Sequence, residues 1–195
     1  MYKIGLSSQI ILASGSPRRQ ELLAAMGFPF TRIVPNVEED VLPAESPKDL
    51  VERLSHLKAS VVAAENPEAW VIGADTIVVI DNKILGKPLD AKEAEEMLSR
   101  LEGRIHQVWG GFALINKRAR VVHVESHMSS VEIVSMDLET IQRYIATGEP
   151  LDKAGAYAIQ GVGAHLVSSL EGSYTNVVGL NLSALMVAMG RFSAV

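Results

Sequence analysis

Apolar positions change their spacing along the chain, and the changes predict its elements. Residues 9–13 form a short apolar run with the length of a buried strand. The run ends at Ser14-Gly15-Ser16-Pro17, where Ser16 suits a helix N-cap, Pro17 the first helical position and Gly27 the stop. Leu22, Leu23 and Met26 supply that helix's apolar face, and residues 30–34 read as a second strand leading into the acidic loop Glu38-Glu39-Asp40. Ser46-Pro47-Lys48-Asp49 opens a longer helix in the same way. Leu50, Leu54, Leu57 and Val61 form a narrow stripe on it, with Lys58 at the border, about 40° around from Leu54. Residues 70–72 and 77–80 read as strand on either side of Gly73-Ala74-Asp75-Thr76; Asp81-Asn82-Lys83 is a turn and Ile84-Leu85 the return.

Asp90, with Glu93 three residues on, starts a further helix whose buried face is Ala94, Met97, Leu98 and Leu101, with Gly103 as its stop. Three strands are predicted at 107–115, 120–125 and 130–134. A helix capped by Asp137 carries Leu138, Ile141 and Ile145 and ends at Gly148. The small-residue stretch that follows predicts a strand pair around 156–159 and 165–170, before a last helix with Leu182, Leu185, Met186 and Met189 on one face. Strands and helices in this order imply a mixed α/β sheet with helices packed outside it.

Composition narrows the partners. At 195 residues, 48% of them hydrophobic, one domain is expected, with room for two lobes. Lys+Arg 18 against Asp+Glu 23 gives a net charge of −5, which argues against a nucleic-acid polymer or a polybasic membrane contact. The absence of cysteine removes disulfides, thiolate nucleophiles and cysteine-bound zinc. No apolar run approaches the roughly 18 residues of a transmembrane helix, and the first residues lack a signal-peptide core. A cytoplasmic protein is the expectation.

Three constellations carry chemistry. In Ser14-Gly15-Ser16-Pro17-Arg18-Arg19, a strand end feeds a helix N-terminus, where free backbone N–H groups, hydroxyls and guanidinium groups suit phosphate oxygens. The same residues serve equally as a well-capped helix with two solvated arginines, and no GxxxxGK[ST] loop is present. In Gly73-Ala74-Asp75-Thr76, a carboxylate lies among apolar neighbours. Such a group pairs with a cation, holds a metal or acts as a base, unless it only ties down a crossover. Lys87, in Gly86-Lys87-Pro88 on the return strand, is a cation within range of that role. In residues 152–161, small residues admit a ligand close to the backbone, while Asp152, Lys153 and Gln160 offer hydrogen bonds; Gln160 has the donor and acceptor that read a base edge. An ordinary glycine-rich turn is the simpler account. Two other patterns carry less. His123, Glu125 and His127 share one strand face, which suits a metal but is also what a solvated face looks like. Asn181-Leu182-Ser183 fits a glycosylation sequon that has no secretion signal to use it.

Taken in order, these motifs resemble the Maf family, the septum-formation-inhibitor-like nucleoside triphosphate pyrophosphatases. The resemblance runs from Ile11-Leu12-Ala13-Ser14-Gly15-Ser16-Pro17-Arg18-Arg19 through Val37-Glu38-Glu39, Lys58-Ala59, Gly73-Ala74-Asp75-Thr76, Gly86-Lys87-Pro88, His106-Gln107-Val108 and residues 152–161 to Asn176-Val177-Val178-Gly179-Leu180. It implies a fold like that of the inosine triphosphate pyrophosphatases, as one domain over 1–195 with two lobes around a cleft. It also implies hydrolysis between the α and β phosphates with a divalent metal, Mg²⁺ or Mn²⁺. By position, Asp75 matches the proton acceptor, and Arg19, Thr76 and Gln160 match residues associated with substrate choice. Arg-Arg, Ala-Asp-Thr and glutamine are similar to the dTTP/UTP branch; the 7-methyl-GTP branch carries Trp-Arg, Ser-Asp-Gln and glutamate there. On this resemblance Ser14, Ser16, Arg18, Lys58, Lys87 and Lys153 are expected around the phosphates, and Glu39 with Asp75 at the metal. A homodimer is the common assembly of similar proteins. Gly110, where the family commonly has threonine, and Asn181, where it commonly has proline, depart from the pattern. The competing expectations are a nucleotide-binding regulator of septum formation without turnover, and a pyrophosphatase for another nucleotide.

Overall fold

A computed structural model describes residues 9–192, so the expectation for the first eight residues lies outside it. Its elements are β1 (Ile10–Ala13), α1 (Pro17–Ala25), β2 (Phe30–Ile33), α2 (Pro47–Glu65), β3 (Trp70–Ile80), β4 (Lys83–Leu85), α3 (Ala91–Leu101), β5 (Ile105–Asn116), β6 (Val121–Ile133), α4 (Leu138–Ala146), β7 (Val167–Glu171), α5 (Tyr174–Val178) and α6 (Leu182–Phe192). Three 3-10 turns, Glu149–Asp152, Ala154–Ala156 and Gly161–Leu166, lie between α4 and β7. The strands form a mixed seven-stranded sheet in the order β2-β1-β3-β5-β6-β7, with β4 paired to β3 off that path. β1 is parallel to β2 and β3; β4 and β7 run antiparallel to β3 and β6. The fold is mixed α/β, as the pattern of elements predicts.

The chain divides into two compact units. One takes the described residues up to Asp75, then Gly110–His127 and from Gly179 on; the other takes Thr76–Trp109 and Met128–Val178. In the first, period-2 alternation sends Ile10 and Leu12 of β1, with Trp70, Ile72 and Ala74 of β3, against Leu23 of α1 and Leu185, Ala188 and Met189 of α6. Ile11, Ala13 and Val71 point the other way, against Ala59, Val62 and Ala63 of α2. Both faces are covered, which is why β1 reads as an unbroken apolar run. In the second unit, Val78, Ile80, Val108, Val131 and Ile133 pack with Met97, Leu98 and Leu101 of α3 and Ile141 and Tyr144 of α4.

The helix starts are as predicted. Ser16, Ser46, Asp90 and Asp137 each accept a hydrogen bond from the backbone N–H three residues on. Four expectations fail. β3 is one strand through Gly73–Thr76, because β1 pairs it up to Gly73 and β4 from Val78. The three strands expected between 107 and 134 are two. Residues 156–159 form no strand; the backbone there leaves a 3-10 turn, and the Ala158 N–H donates to the Tyr144 hydroxyl rather than to a neighbouring strand. The buried face of α2 is Leu50, Val51, Leu54, Ser55, Lys58, Ala59, Val62 and Ala63, with Val61 exposed. The helix is therefore rotated from the Leu50–Val61 stripe, toward its small residues.

Candidate active site

That rotation has a cause. A Cβ on Gly73 would lie 2.7 Å from the backbone nitrogen of Ala59 and also run into the Ser55 carbonyl; one on Gly111 would lie 2.5 Å from the Val51 carbonyl oxygen. The backbone of α2 rests directly on β3 and β5 at two glycines, an approach no larger residue permits. Ser55 survives in this dry contact by donating its hydroxyl to the Val51 carbonyl. Seated so close, α2 turns its next inward residue, Lys58, toward the next residue on the same face of β3, Asp75.

Both are buried, and Lys58 Nζ donates to Asp75 Oδ1 at 2.7 Å. A charge removed from water to this extent costs several kcal/mol unless it is paired, and each supplies what the other needs. The cation on Asp75 thus comes from α2; Lys87, considered for that place from the sequence, is exposed after β4 and belongs to the other unit. A second carboxylate completes the clamp, with Glu39 Oε2 2.8 Å from Lys58 Nζ. Glu39 reaches it from a loop pinned by Arg53, which donates to Glu45 Oε1 at 2.6 Å, Glu45 Oε2 at 2.8 Å and the Asp40 carbonyl at 2.8 Å.

At the start of α1, Ser14 Oγ accepts from the Ser16 N–H at 3.1 Å and from Arg19 Nη1 at 3.3 Å, and Arg19 Nε donates to the Gly179 carbonyl at 2.9 Å. Burial pulls the Arg19 guanidinium below its ordinary value, while the charges of Asp75 and Glu39 push back and that of Arg18 adds to the fall. Ser14, Ser16, Arg18, Arg19, Glu39, Lys58 and Asp75 therefore all lie in the first unit, where hydrogen bonds, ion pairs or through-space charge link them. Asp75 and Glu39 converge on the Lys58 ammonium. As two hard oxygen donors beside phosphate-suited groups, they have the chemistry that a divalent ion keeping several waters takes, were Lys58 to yield that point. Among the described residues no group of three His, Cys, Asp or Glu makes a full metal cage.

Thr76 opens the second unit, half-buried in β3. Lys153 Nζ donates to the Glu149 carbonyl at 2.7 Å and to Asp152 Oδ1 at 2.6 Å, and the Gly155 N–H donates to the Gly86 carbonyl beside Lys87 at 3.0 Å. Gln160 is half-buried, with φ −115° and ψ 168°. His106 is fully buried in the same unit, 2.8 Å from the Tyr157 hydroxyl, and burial lowers its pKa to about 4. Sequence reasoning passed over Arg53, Tyr144 and Glu149. Only the paired glycines at 73 and 111 carried a local signal, that of close backbone approach.

The two lesser patterns resolve locally. His123 Nε2 and His127 Nε2 each lie 2.9 Å from an oxygen of Glu125, which uses the face the metal reading needed. Asn181 is buried and accepts from the Ser183 hydroxyl and the Ala184 N–H, so it caps α6 and gives a glycan no access. β5 runs through Gly110 without a break. No described helix is long and apolar enough to cross a membrane.

The family model described as Maf-like protein matches residues 9–192. A protein of Symbiobacterium thermophilum named dTTP/UTP pyrophosphatase is 51% identical over 184 residues, 94% of either chain. Proteins of the same name from Desulfotalea psychrophila and Bacillus cytotoxicus are 45% and 47% identical, over 100% and 95% of this chain and 99% and 96% of theirs. With the match covering nearly the full length, the chain belongs to the family of Maf-like proteins.

Proposed function

We propose that the protein is a nucleoside triphosphate pyrophosphatase that hydrolyses dTTP and UTP to the nucleoside monophosphate and pyrophosphate. The Lys58 clamp on Asp75 and Glu39 carries the reading: a buried, charge-compensated carboxylate beside a phosphate-suited helix terminus is more than a nucleotide sensor requires. The names of the full-length relatives supply the nucleotide.

In this reading Asp75 accepts the proton of a water that attacks the α-phosphorus in line. The bond from that phosphorus to the α–β bridging oxygen breaks, and pyrophosphate leaves with the bond's electron pair. Lys58, Arg18, Arg19, Lys87 and Lys153, with the hydroxyls of Ser14 and Ser16, balance and orient the phosphate oxygens. Thr76, Gln160 and Arg19 set nucleotide choice. Glu39 and Asp75 would hold a divalent ion, which when bound neutralises phosphate charge as a Lewis acid. Nucleoside triphosphates are made and used in the cytoplasm, which the same reading assigns to the protein. Pyrophosphate release across a panel of pyrimidine, purine and 7-methylated triphosphates, with and without Mg²⁺, tests it. Turnover highest on dTTP and UTP supports the proposal; nucleotide binding without release favours the regulator.

A further inference from the structure

One carboxylate-centred network in the second unit lies outside these roles. Glu149 follows α4 at the head of the first 3-10 turn. Its Oε2 accepts from the Tyr144 hydroxyl at 2.8 Å and the Gly163 N–H at 2.7 Å, and its Oε1 from the Val162 N–H at 3.0 Å. The Tyr144 hydroxyl accepts in turn from the Ala158 N–H at 3.1 Å. The two tethers leave only Ile159, Gln160 and Gly161 between them. The backbone reverses at Gly161, with φ +68°, and a Cβ there would run into Glu149 Oε1, so the segment is shaped around that oxygen.

Burial works to raise the Glu149 carboxyl, but the Tyr144 hydroxyl and the Gly163 and Val162 amides outweigh it and hold it below the ordinary range. The acceptor is charged near neutral pH, which strengthens each bond it takes. Tyr144 is buried, and burial, reinforced by Glu149, raises its hydroxyl well above the ordinary value, so it stays a donor. Glu149 also holds Lys153 through its own carbonyl. One residue therefore anchors a proposed phosphate ligand through its main chain and the segment around a proposed base reader through its side chain.

We propose that the Tyr144–Glu149 pair is a positioning device for nucleotide selectivity, holding Gln160 at a set reach from Lys153 so that base and phosphate are gauged by one scaffold. The inference rests on the reading of Gln160 as the base-reading residue. Tyr144→Phe keeps the ring and removes both of its hydrogen bonds. Glu149→Gln keeps the length and turns a donor toward one of the donors Glu149 now accepts from.

The test measures kcat/KM for dTTP and GTP in the wild type, both variants, Gln160→Ala and the Tyr144→Phe/Gln160→Ala double variant, with thermal unfolding alongside. The dTTP-to-GTP ratio should fall about tenfold in each single variant, the worth of one hydrogen bond to a charged group. The double variant should fall no further than Gln160→Ala. Folded Tyr144→Phe and Glu149→Gln proteins with the wild-type ratio, when Gln160→Ala lowers it, overturn the positioning role and leave the base reader standing. An unchanged ratio in Gln160→Ala overturns both. Amide exchange on the wild-type chain is independent of how any variant folds: protection at Ala158, Val162 and Gly163 supports the tethers, and fast exchange at all three overturns them.

Discussion

The two units bury polar groups by opposite means. In the first, the buried polar centre is ionic: Lys58 lies between Asp75 and Glu39, brought there because α2 rests on Gly73 and Gly111. In the second, the fully buried groups are neutral. His106 faces the Tyr157 hydroxyl and Asn176 faces Ser129, while the one carboxylate in the network, Glu149, is only half-buried. An ionic centre suits a step in which charge moves; buried neutral groups, with a backbone tethered through its amides to one fixed carboxylate, suit a step in which shape is read. Perturbing the first should therefore change rate, and perturbing the second should change pH tolerance or selectivity.

The largest expected effect is at Asp75. Asp75→Asn keeps the shape and removes the proton acceptor, so kcat should fall by about 10²–10⁴-fold, the span of general-base losses. Near-normal turnover in a folded variant would abolish the contrast, because the ionic centre would then be structural. Next is the second unit's imidazole. Burial lowers His106 from the ordinary histidine value of 6.5, kept in the open chain, to about 4 when folded, so the unfolded chain binds the proton first. Its contribution is fully present above pH 6.5 and is lost as pH falls toward 4, on the order of 2–3 kcal/mol at the bottom of that window. Urea unfolding at a series of pH values should show a steeper loss in wild type than in His106→Gln. Equal slopes would mean that burial does not hold the ring neutral.

What the sequence discloses follows the range of each interaction. The caps at Ser16, Ser46, Asp90 and Asp137 are legible because each closes a bond within three residues. Asp75 is legible as a buried charge in need of a partner, since its apolar neighbours announce the burial. Its partner is not, because the rotation of α2 is set by a glycine on β3 and another on β5 rather than by the helix's own leucine spacing. Residues 156–159 mislead for a related reason: their alternation is strand-like, yet the Ala158 amide goes to a tyrosine in α4. Propensity speaks for the segment alone, and here the partner decides.

Gly73→Ala tests the close approach itself. The added carbon meets backbone, which cannot swing aside, so α2 must shift, at about 1–3 kcal/mol. Because Lys58 moves with the helix, activity should fall beyond what the loss of folded protein explains. Gly190→Ala in α6, where an added Cβ meets nothing within 4 Å, is the control and should be neutral or slightly stabilising. If both variants behave alike in urea unfolding, the glycines do not set the rotation of α2.

The smallest effect separates holding a charge from holding a fold. Arg53 is bidentate to Glu45 and also bonds the Asp40 carbonyl, one residue from Glu39. The Arg53 guanidinium is partly solvated but the Glu45 side chain is only 8% exposed. Arg53→Met is therefore combined with Glu45→Gln, which leaves no carboxylate unpaired, and the pair of changes should alter unfolding free energy by no more than about 1 kcal/mol. The loop they release carries half of the carboxylate pair on Lys58, and freeing it makes the clamp compete with loop motion. A fall of about threefold in kcat/KM, with nearly unchanged stability, is the outcome that places Arg53 with the chemistry, threefold being the scale of a solvated ion pair. A loss confined to stability would instead make the Arg53–Glu45 pair an ordinary surface brace. Glu39 would then meet Lys58 by its own attraction alone, and the first unit would need no more support for its charges than the ions themselves provide.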